Sequence, residues 1–198
     1  MSDEGTGPAP KNLPAGLAAL VSRAGPQRAL PPVERWNPPD CGAIDMRIAA
    51  DGQWYYLGSP IGRAPLVRLF STVLKREGDR HYLVTPVEKV EITVDDAPFL
   101  AVEMHGAGEG RAADLTFRTN VGDLVEAGPD HPLRFAIEAD TGGLKPYIEV
   151  RAGLEALVTR SLVHDLVARG EMHEGEFGVW SKGAFFPIAS QAELERLS

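Results

Sequence analysis

The sequence is short of nearly everything that marks an enzyme at first sight. It holds one cysteine, Cys41, so no disulfide can close within the chain, and the count fits a reducing, cytoplasmic setting. Cys41 stands in Pro38-Pro39-Asp40-Cys41-Gly42, with Asp40 and Asp45 as its nearest charges. Carboxylates disfavour a thiolate. Cys41 therefore reads as a partly buried residue of the corner leading into a first strand. None of the five histidines is spaced as a ligand pair, and no H-E-x-x-H occurs, so neither metal nor cofactor is expected. No serine lies in G-x-S-x-G. The loop His105-Gly106-Ala107-Gly108-Glu109-Gly110 lacks the Lys-Ser/Thr ending of a phosphate cradle. No run approaches eighteen apolar residues, which speaks against a membrane span. Asp3 and Glu4 open the chain with no apolar segment behind them, unlike a secretory signal.

Positive charge is scarce too. Twenty Lys and Arg face 28 Asp and Glu, a formal net charge of −8, so a grip on long nucleic acid is not expected. Fifteen of the twenty cations are arginine. Its planar fork suits phosphate or carboxylate, which leaves room for a small anionic ligand.

What is present is a dense series of short elements. Asn12 can cap a short helix whose Leu17, Leu20 and Val21 share a face. Ile44, Met46 and Ile48 then alternate with Asp45 and Arg47, and Asp51-Gly52 turns the chain into Trp54-Tyr55-Tyr56-Leu57. A helix is expected over 63–78, with Pro65 in its first turn, a stripe of Leu66, Phe70, Val73 and Leu74, and Gly78 as its stop. Strands follow at His81-Tyr82-Leu83-Val84, at Val90, Ile92 and Val94, and from Phe99 to His105.

A similar order then recurs. Leu115, Phe117 and Thr119 alternate, and a second hairpin joins 133–140 to 146–150 through Gly142-Gly143. Arg151-Ala152-Gly153-Leu154 follows it as Arg63-Ala64-Pro65-Leu66 follows the first, 88 residues earlier. Leu154, Leu157, Val158, Leu162 and Leu166 read as that second helix's apolar face, and 176–188 as closing strands. Ser190 and Glu193 form a capping box for a terminal helix. The fold expected is α+β: duplicated units of curved antiparallel sheet, each covered by one amphipathic helix. Residues 1–32 read as a flexible segment with a short helix, 33–108 as a first domain and 109–198 as a second.

Arg47, Arg63, Arg68, Lys89, Thr119, Asn120, Tyr147 and Arg151 punctuate these elements and are the candidate ligand-binding residues. With the halves packed pseudo-symmetrically, Arg63 and Arg151 would bracket an anion where the two domains meet. Pairing with acids such as Asp45, Glu149 or Glu155 is the plainer role for such arginines. Trp36, Trp54 and Trp180 would stack a base if exposed; beside strands they read as core.

The motifs Trp36-Asn37-Pro38-Pro39, Cys41-Gly42, Asp45-Met46, Pro60-Ile61-Gly62-Arg63 and Leu83 to Lys89 carry a resemblance. Thr119-Asn120, Tyr147, Arg151 and Gly178 to Pro187 extend it into the second half. Over Glu34 to Ile188 the chain resembles the bacterial family known as domain of unknown function 1285. The resemblance implies duplicated α+β domains, the second superficially like pleckstrin-homology domains. It also implies a nucleotide-like ligand at the domain interface and a part in signal transduction. It implies no reaction.

Three functions stay open. The first is a non-enzymatic ligand-binding or signalling module for a small anionic or nucleotide-like ligand. The second is a scaffold for a protein partner. The third is an enzyme whose Asp, Glu or His residues meet only on folding. The sequence names no catalytic residue and no oligomeric state.

Overall fold

The computed structural model describes residues 10–23 and 29–197. They belong to two compact units, Met1–Asp96 and Ala97–Ser198. The opening stretch up to Ala9 and residues 24–28, which include the Gly25-Pro26 pair that reads as a stop for the first helix, lie outside the described residues.

Helix α1 (Ala15–Ser22) starts after Pro14, not at Asn12, whose φ of 66° is left-handed and whose side chain caps nothing. Eight residues make no stable helix alone. Docking holds this one. Leu17 is fully buried, and its N–H donates to Glu88 Oε1 at 3.0 Å. Tyr56 donates its hydroxyl to the Asn12 carbonyl at 2.6 Å. Gly16 sits so tightly that a Cβ would fall 2.4 Å from Thr85 Oγ1. A carboxylate from 71 residues along the chain thus does the work of a cap.

Strands β1 (Asp40–Ile48) and β2 (Trp54–Tyr56) form the expected hairpin, Met46 opposite Tyr56 and Ile48 opposite Trp54. Period-two geometry buries Met46 and Ile48 and exposes Asp45 and Arg47. Strand β3 (Ser59–Pro60) adds an edge, where proline is tolerated. Helix α2 (Ala64–Ser71) has Pro65 in its first turn and stacks Phe70 against Trp54, ring centroids 6.3 Å apart.

The helix is shorter than the 63–78 expected. Ser71 and Thr72 donate their hydroxyls to the carbonyls of Arg68 and Leu69 at 2.7 and 2.6 Å, which competes with the helical ladder. The chain turns into β4 (Leu74–Glu77). Val73 and Leu74 are buried as their hydrophobicity requires, but Leu74 sits on a strand. Gly78 serves the turn into β5 (Arg80–Val84), which pairs with β6 (Lys89–Val94).

The sheet order is β3-β2-β1-β6-β5-β4. Every pair is antiparallel except the central β1–β6, which is parallel. The antiparallel expectation is corrected there. A parallel pair needs a long crossover, and α2 with the β4–β5 hairpin is that crossover.

The C-terminal unit opens with β7 (Phe99–Ala107), β8 (Asp114–Thr119) and β9 (Leu124–Glu126). It continues through β10 (Leu133–Ile137), β11 (Leu144–Arg151) and β12 (Leu154–Val158). The whole of β7, including the start of the glycine-rich loop, lies in this unit, so the units divide at Asp96 where the sequence had placed the join near 108. The sheet runs β10-β11-β12-β7-β8-β9, again with its central pair, β7–β12, parallel. Counted from each unit's first strand, both sheets read 3-2-1-6-5-4. The duplication is therefore a repeat of strand order, and it matches β1 with β7 instead of aligning the two R-A-x-L segments.

Those segments differ at one residue that decides everything. Pro65 presets a helical φ. Gly153 has φ 75° and follows Ala152 at 45°, so the two form a tight turn that joins β11 to β12, Arg151 facing Leu154. Residues 154–158 are thus a strand whose Leu154, Ala156 and Val158 face the core. The helix expected there begins only at α3 (Arg160–Val167), which lies against β7, β11 and β14 (Glu176–Ser181).

Strand β14 is the middle of a small sheet with β13 (Glu171–His173) and β15 (Ala184–Ser190). Ser181, with no exposed surface, accepts the Leu115 N–H at 2.9 Å and donates to the Ala127 carbonyl at 2.7 Å. One hydroxyl so joins the small sheet to the large one. Helix α4 (Gln191–Leu197) carries the expected capping box: Ser190 N–H donates to Glu193 Oε2 at 2.8 Å, and Glu193 N–H returns to Ser190 Oγ at 3.3 Å. Met46, Ile48, Trp54, Phe70 and Leu83 are buried in the first unit, and Phe99, Leu115, Phe117, Ile148 and Leu154 in the second. No described helix is long and apolar enough to cross a membrane.

Candidate functional site

The candidate cations divide sharply by what neutralises them. Arg47, on the outward face of β1, forks onto Asp95 with contacts of 2.5 and 2.8 Å. The hydrogen bond to Arg47 holds the Asp95 carboxyl below its ordinary value, and the same bond raises the guanidinium. Lys89 reaches Glu77 at 2.7 Å and lies 4.6 Å from the Tyr82 ring centroid. Its bond to Glu77 raises the ammonium and lowers the carboxyl. Arg151, at the end of β11, pairs with Asp123 at 3.0 Å over the Phe99 ring.

Arg63 and Arg68 are different. Arg63 is the half-buried residue preceding α2 and Arg68 is exposed on that helix. Neither side chain has a hydrogen bond or ion pair among the described residues. The first turn of α2 carries no acidic residue, so Arg63 adds positive charge to the already positive end of a helix dipole.

The uncharged candidates all belong to the C-terminal unit, Thr119 and Tyr147 buried and Asn120 exposed. Alternation along β8 points Thr119 inward, where it is 2% exposed and accepts the Asp123 N–H at 3.0 Å. Asn120 fastens β8 to β7: its Oδ1 accepts the Leu100 N–H at 3.0 Å and its own N–H donates to the Leu100 carbonyl at 2.8 Å. Tyr147 is buried with the Arg134 guanidinium 4.1 Å from its ring centroid. All three have structural partners that explain their place.

Trp54 and Trp180 are core residues, as read; Trp36 is half-buried. Cys41 is exposed on β1, where the sequence had suggested partial burial. It lies on an outward stretch of the strand, ahead of the alternation that starts to bury side chains at Ile44. Among the described residues no three His, Cys, Asp or Glu side chains form a set able to hold a metal.

Sequence reasoning missed a cleft of about 450 Å³ within the C-terminal unit, lined by Thr116, Leu124, Glu126, Asp130, His131 and Lys182 among others. Two tight turns build it. Gly128 and His131 exchange N–H to carbonyl bonds, each 3.1 Å, around Pro129-Asp130. Lys182, at φ 49°, tips the β14–β15 turn, its N–H fixed to the Ala113 carbonyl at 2.9 Å. Its ammonium pairs with Glu126. That bond first, then the fields of Glu126, Asp114 and Asp130, raise the ammonium's pKa.

His131 Nδ1 lies 3.0 Å from the Glu149 carbonyl. A carbonyl only accepts, so Nδ1 carries a proton and the neutral ring keeps Nε2 as an acceptor. Nothing in the sequence brought Lys182 beside His131 and Asp130.

Comparison with known proteins covers nearly the whole described fold. Residues 31–97 match the family model described as "Domain of unknown function (DUF1285), N-terminal domain". Residues 98–188 match "Protein of unknown function (DUF1285), C-terminal domain". The crystal structure of a DUF1285 family protein from Silicibacter pomeroyi DSS-3 is 55% identical, with 91% of this chain and 98% of that one covered and a TM-score of 0.84. A DUF1285 family protein from Shewanella baltica OS155 is 29% identical, over 64% of this chain and 92% of that one, with a TM-score of 0.51. No curated protein matches. Two family models meeting within a residue of the observed join, and a shared strand order on either side of it, lead to one conclusion: this chain belongs to the DUF1285 family and is built from that family's duplicated N- and C-terminal domains.

Proposed function

We propose that this protein is a non-enzymatic ligand-binding or signalling module that takes up a small anionic or nucleotide-like ligand, with Arg63 as its principal contact. The observation that carries the reading is the guanidinium of Arg63 at the start of α2, which no side chain among the described residues neutralises and where no first-turn acid offsets the dipole. An anion there relieves two like charges at once and gains a forked partner. Arg68 adds a second cation on the same helix with no ion pair among the described residues. Arg47, Lys89 and Arg151 serve less well, since each would first have to leave a carboxylate. The pleckstrin-homology-like character that the family resemblance gives the second unit accords with a signalling role.

Calorimetric titration with ATP, ADP and inorganic phosphate tests the proposal. Saturable binding is expected, weakened at least tenfold by Arg63→Gln with the circular dichroism spectrum unchanged. Arg151→Gln, run alongside, asks whether the second arginine expected from the sequence shares the ligand. Absence of saturation with all three anions overturns the reading.

A protein-interaction scaffold is the second reading. It is favoured by Leu124 and Ile137, 66% and 65% exposed on the two outermost strands of the C-terminal sheet. Large apolar residues on open sheet edges invite a partner strand. A stable complex recovered with wild-type protein and lost with Leu124→Lys or Ile137→Lys would support this reading over the first.

A further inference from the structure

The cleft of the C-terminal unit has its own chemistry, separate from Arg63. Its volume, about 450 Å³, falls in the range of small-molecule sites. Apart from the hydroxyl of Thr116, which both donates and accepts, the wall groups without a protein partner among the described residues are acceptors, Asp130 being exposed to solvent. The Asp130 carboxylate and the Thr116 hydroxyl make no hydrogen bond or ion pair among the described residues, and His131 Nε2 remains an acceptor once Nδ1 is spent on Glu149. Glu126 is already engaged, but its partner is the chain's own Lys182. Leu124 supplies an exposed apolar wall beside these groups.

The geometry points to a binding site for a small organic cation that carries several N–H donors on an apolar stem, such as an alkylguanidine or a diamine, with Lys182 standing in for that cation when the site is empty of ligand. The Lys182 stem passes over Gly128, whose missing Cβ would lie 3.4 Å from the Lys182 Cβ. The turn that carries it is anchored through Ala113. The ammonium is thereby delivered to Glu126 as a tethered competitor. An incoming guanidinium would take Asp130 and Glu126 as carboxylate partners and His131 Nε2 as a third acceptor, and lay its alkyl chain on Leu124.

This arrangement sets the sign of a test. Lys182→Met keeps the stem over Gly128 and deletes the competitor. Butylguanidine and 1,4-diaminobutane are titrated calorimetrically into wild type, Lys182→Met, Asp130→Asn and Glu126→Gln, with butyrate and ADP as anionic comparators. Saturable binding of the cations is expected, at least fivefold tighter in Lys182→Met and at least fivefold weaker in Asp130→Asn and in Glu126→Gln. Saturation seen only in Lys182→Met also supports the site, since it shows the competitor at work. The inference is overturned if Lys182→Met binds the cations more weakly than wild type or not at all. It is equally overturned if the cleft takes butyrate or ADP and loses them in Lys182→Met. Arg63→Gln should leave the cation titration untouched, so this inference and the anion proposal fail or stand separately.

Discussion

Replacing Ser181 with alanine should destabilise the C-terminal unit severely. The hydroxyl has no exposed surface and makes two bonds, accepting from Leu115 at 2.9 Å and donating to the Ala127 carbonyl at 2.7 Å. Alanine fills nearly the same space, so cavity cost is small, and the loss is polar. The Leu115 amide and the Ala127 carbonyl, both backbone groups of buried residues, are stranded with no water to replace the partner. Each stranded group costs about 1–3 kcal/mol, which sums to roughly 2–6 kcal/mol for the pair. That is a large fraction of a typical domain stability of about 5–15 kcal/mol.

With a urea m-value of about 1.5 kcal/mol/M, the unfolding midpoint should fall by at least ~1 M. Urea denaturation of wild type and variant reads the midpoint, and amide hydrogen exchange at Leu115 reads the mechanism. Its protection should drop further than that of Phe117 on the same strand. A midpoint within about 0.3 M of wild type, with Leu115 still protected, would refute the claim that one hydroxyl fastens the small sheet to the large one.

Gly16→Ala should lift α1 from its seat, because its Cβ would meet Thr85 Oγ1 at 2.4 Å and the Glu88 side chain at 2.8 Å; faster limited proteolysis within 15–22 is the readout, and an unchanged digestion rate counts against the docking. Gly153→Ala, forced to keep φ near 75°, should cost about 1 kcal/mol in urea melts, whereas Gly62→Ala, which meets nothing within 4 Å, should be neutral. His81 supplies a pH dependence: burial first, then the charge of Arg76, hold its pKa below 6.5. The unfolded chain therefore takes up the proton first as pH falls. Stability from this group is complete above 6.5 and is lost as pH drops through the lower folded value, so His81→Gln should flatten the decline of the urea midpoint between pH 7 and pH 5. Parallel declines in the two proteins would remove His81 from that role.

Local chemistry made some elements legible and long-range pairing hid others. The β1–β2 hairpin was readable because Met46 and Ile48 alternate with charges and Asp51-Gly52 turns the chain; both signals lie within a dozen residues. The α4 capping box was readable for the same reason. Residues 154–158 were misread because Leu154, Leu157 and Val158 fit a helical stripe, while Leu154, Ala156 and Val158 fit a strand face equally well. The signal that separates them is the φ permitted at Gly153, one residue earlier. Val73 and Leu74 were correctly placed inside but on the wrong element, since burial depends on hydrophobicity and not on which backbone delivers it.

The candidate site fared unevenly. Arginines can be picked out by type, but whether a carboxylate neutralises them depends on partners such as Asp95, 48 residues from Arg47, or Asp123, 28 from Arg151. The cleft was invisible because Lys182 and Glu126 are 56 residues apart and meet only through the small sheet.

The strand order has a consequence for how the molecule is made. In each unit the first strand finds its second neighbour only in the sixth, Asp40–Ile48 beside Lys89–Val94 and Phe99–Ala107 beside Leu154–Val158. During synthesis, hairpins on either flank can form as they leave the ribosome, but the middle seam must wait for the last segment to emerge. Because the first and sixth strands run parallel, the end of the sixth lies a strand length away from the start of the first. A circularly permuted unit, cut at an outer hairpin turn, would therefore preserve every pairing only with a crossover linker of about a dozen residues or more, and would let the seam close first.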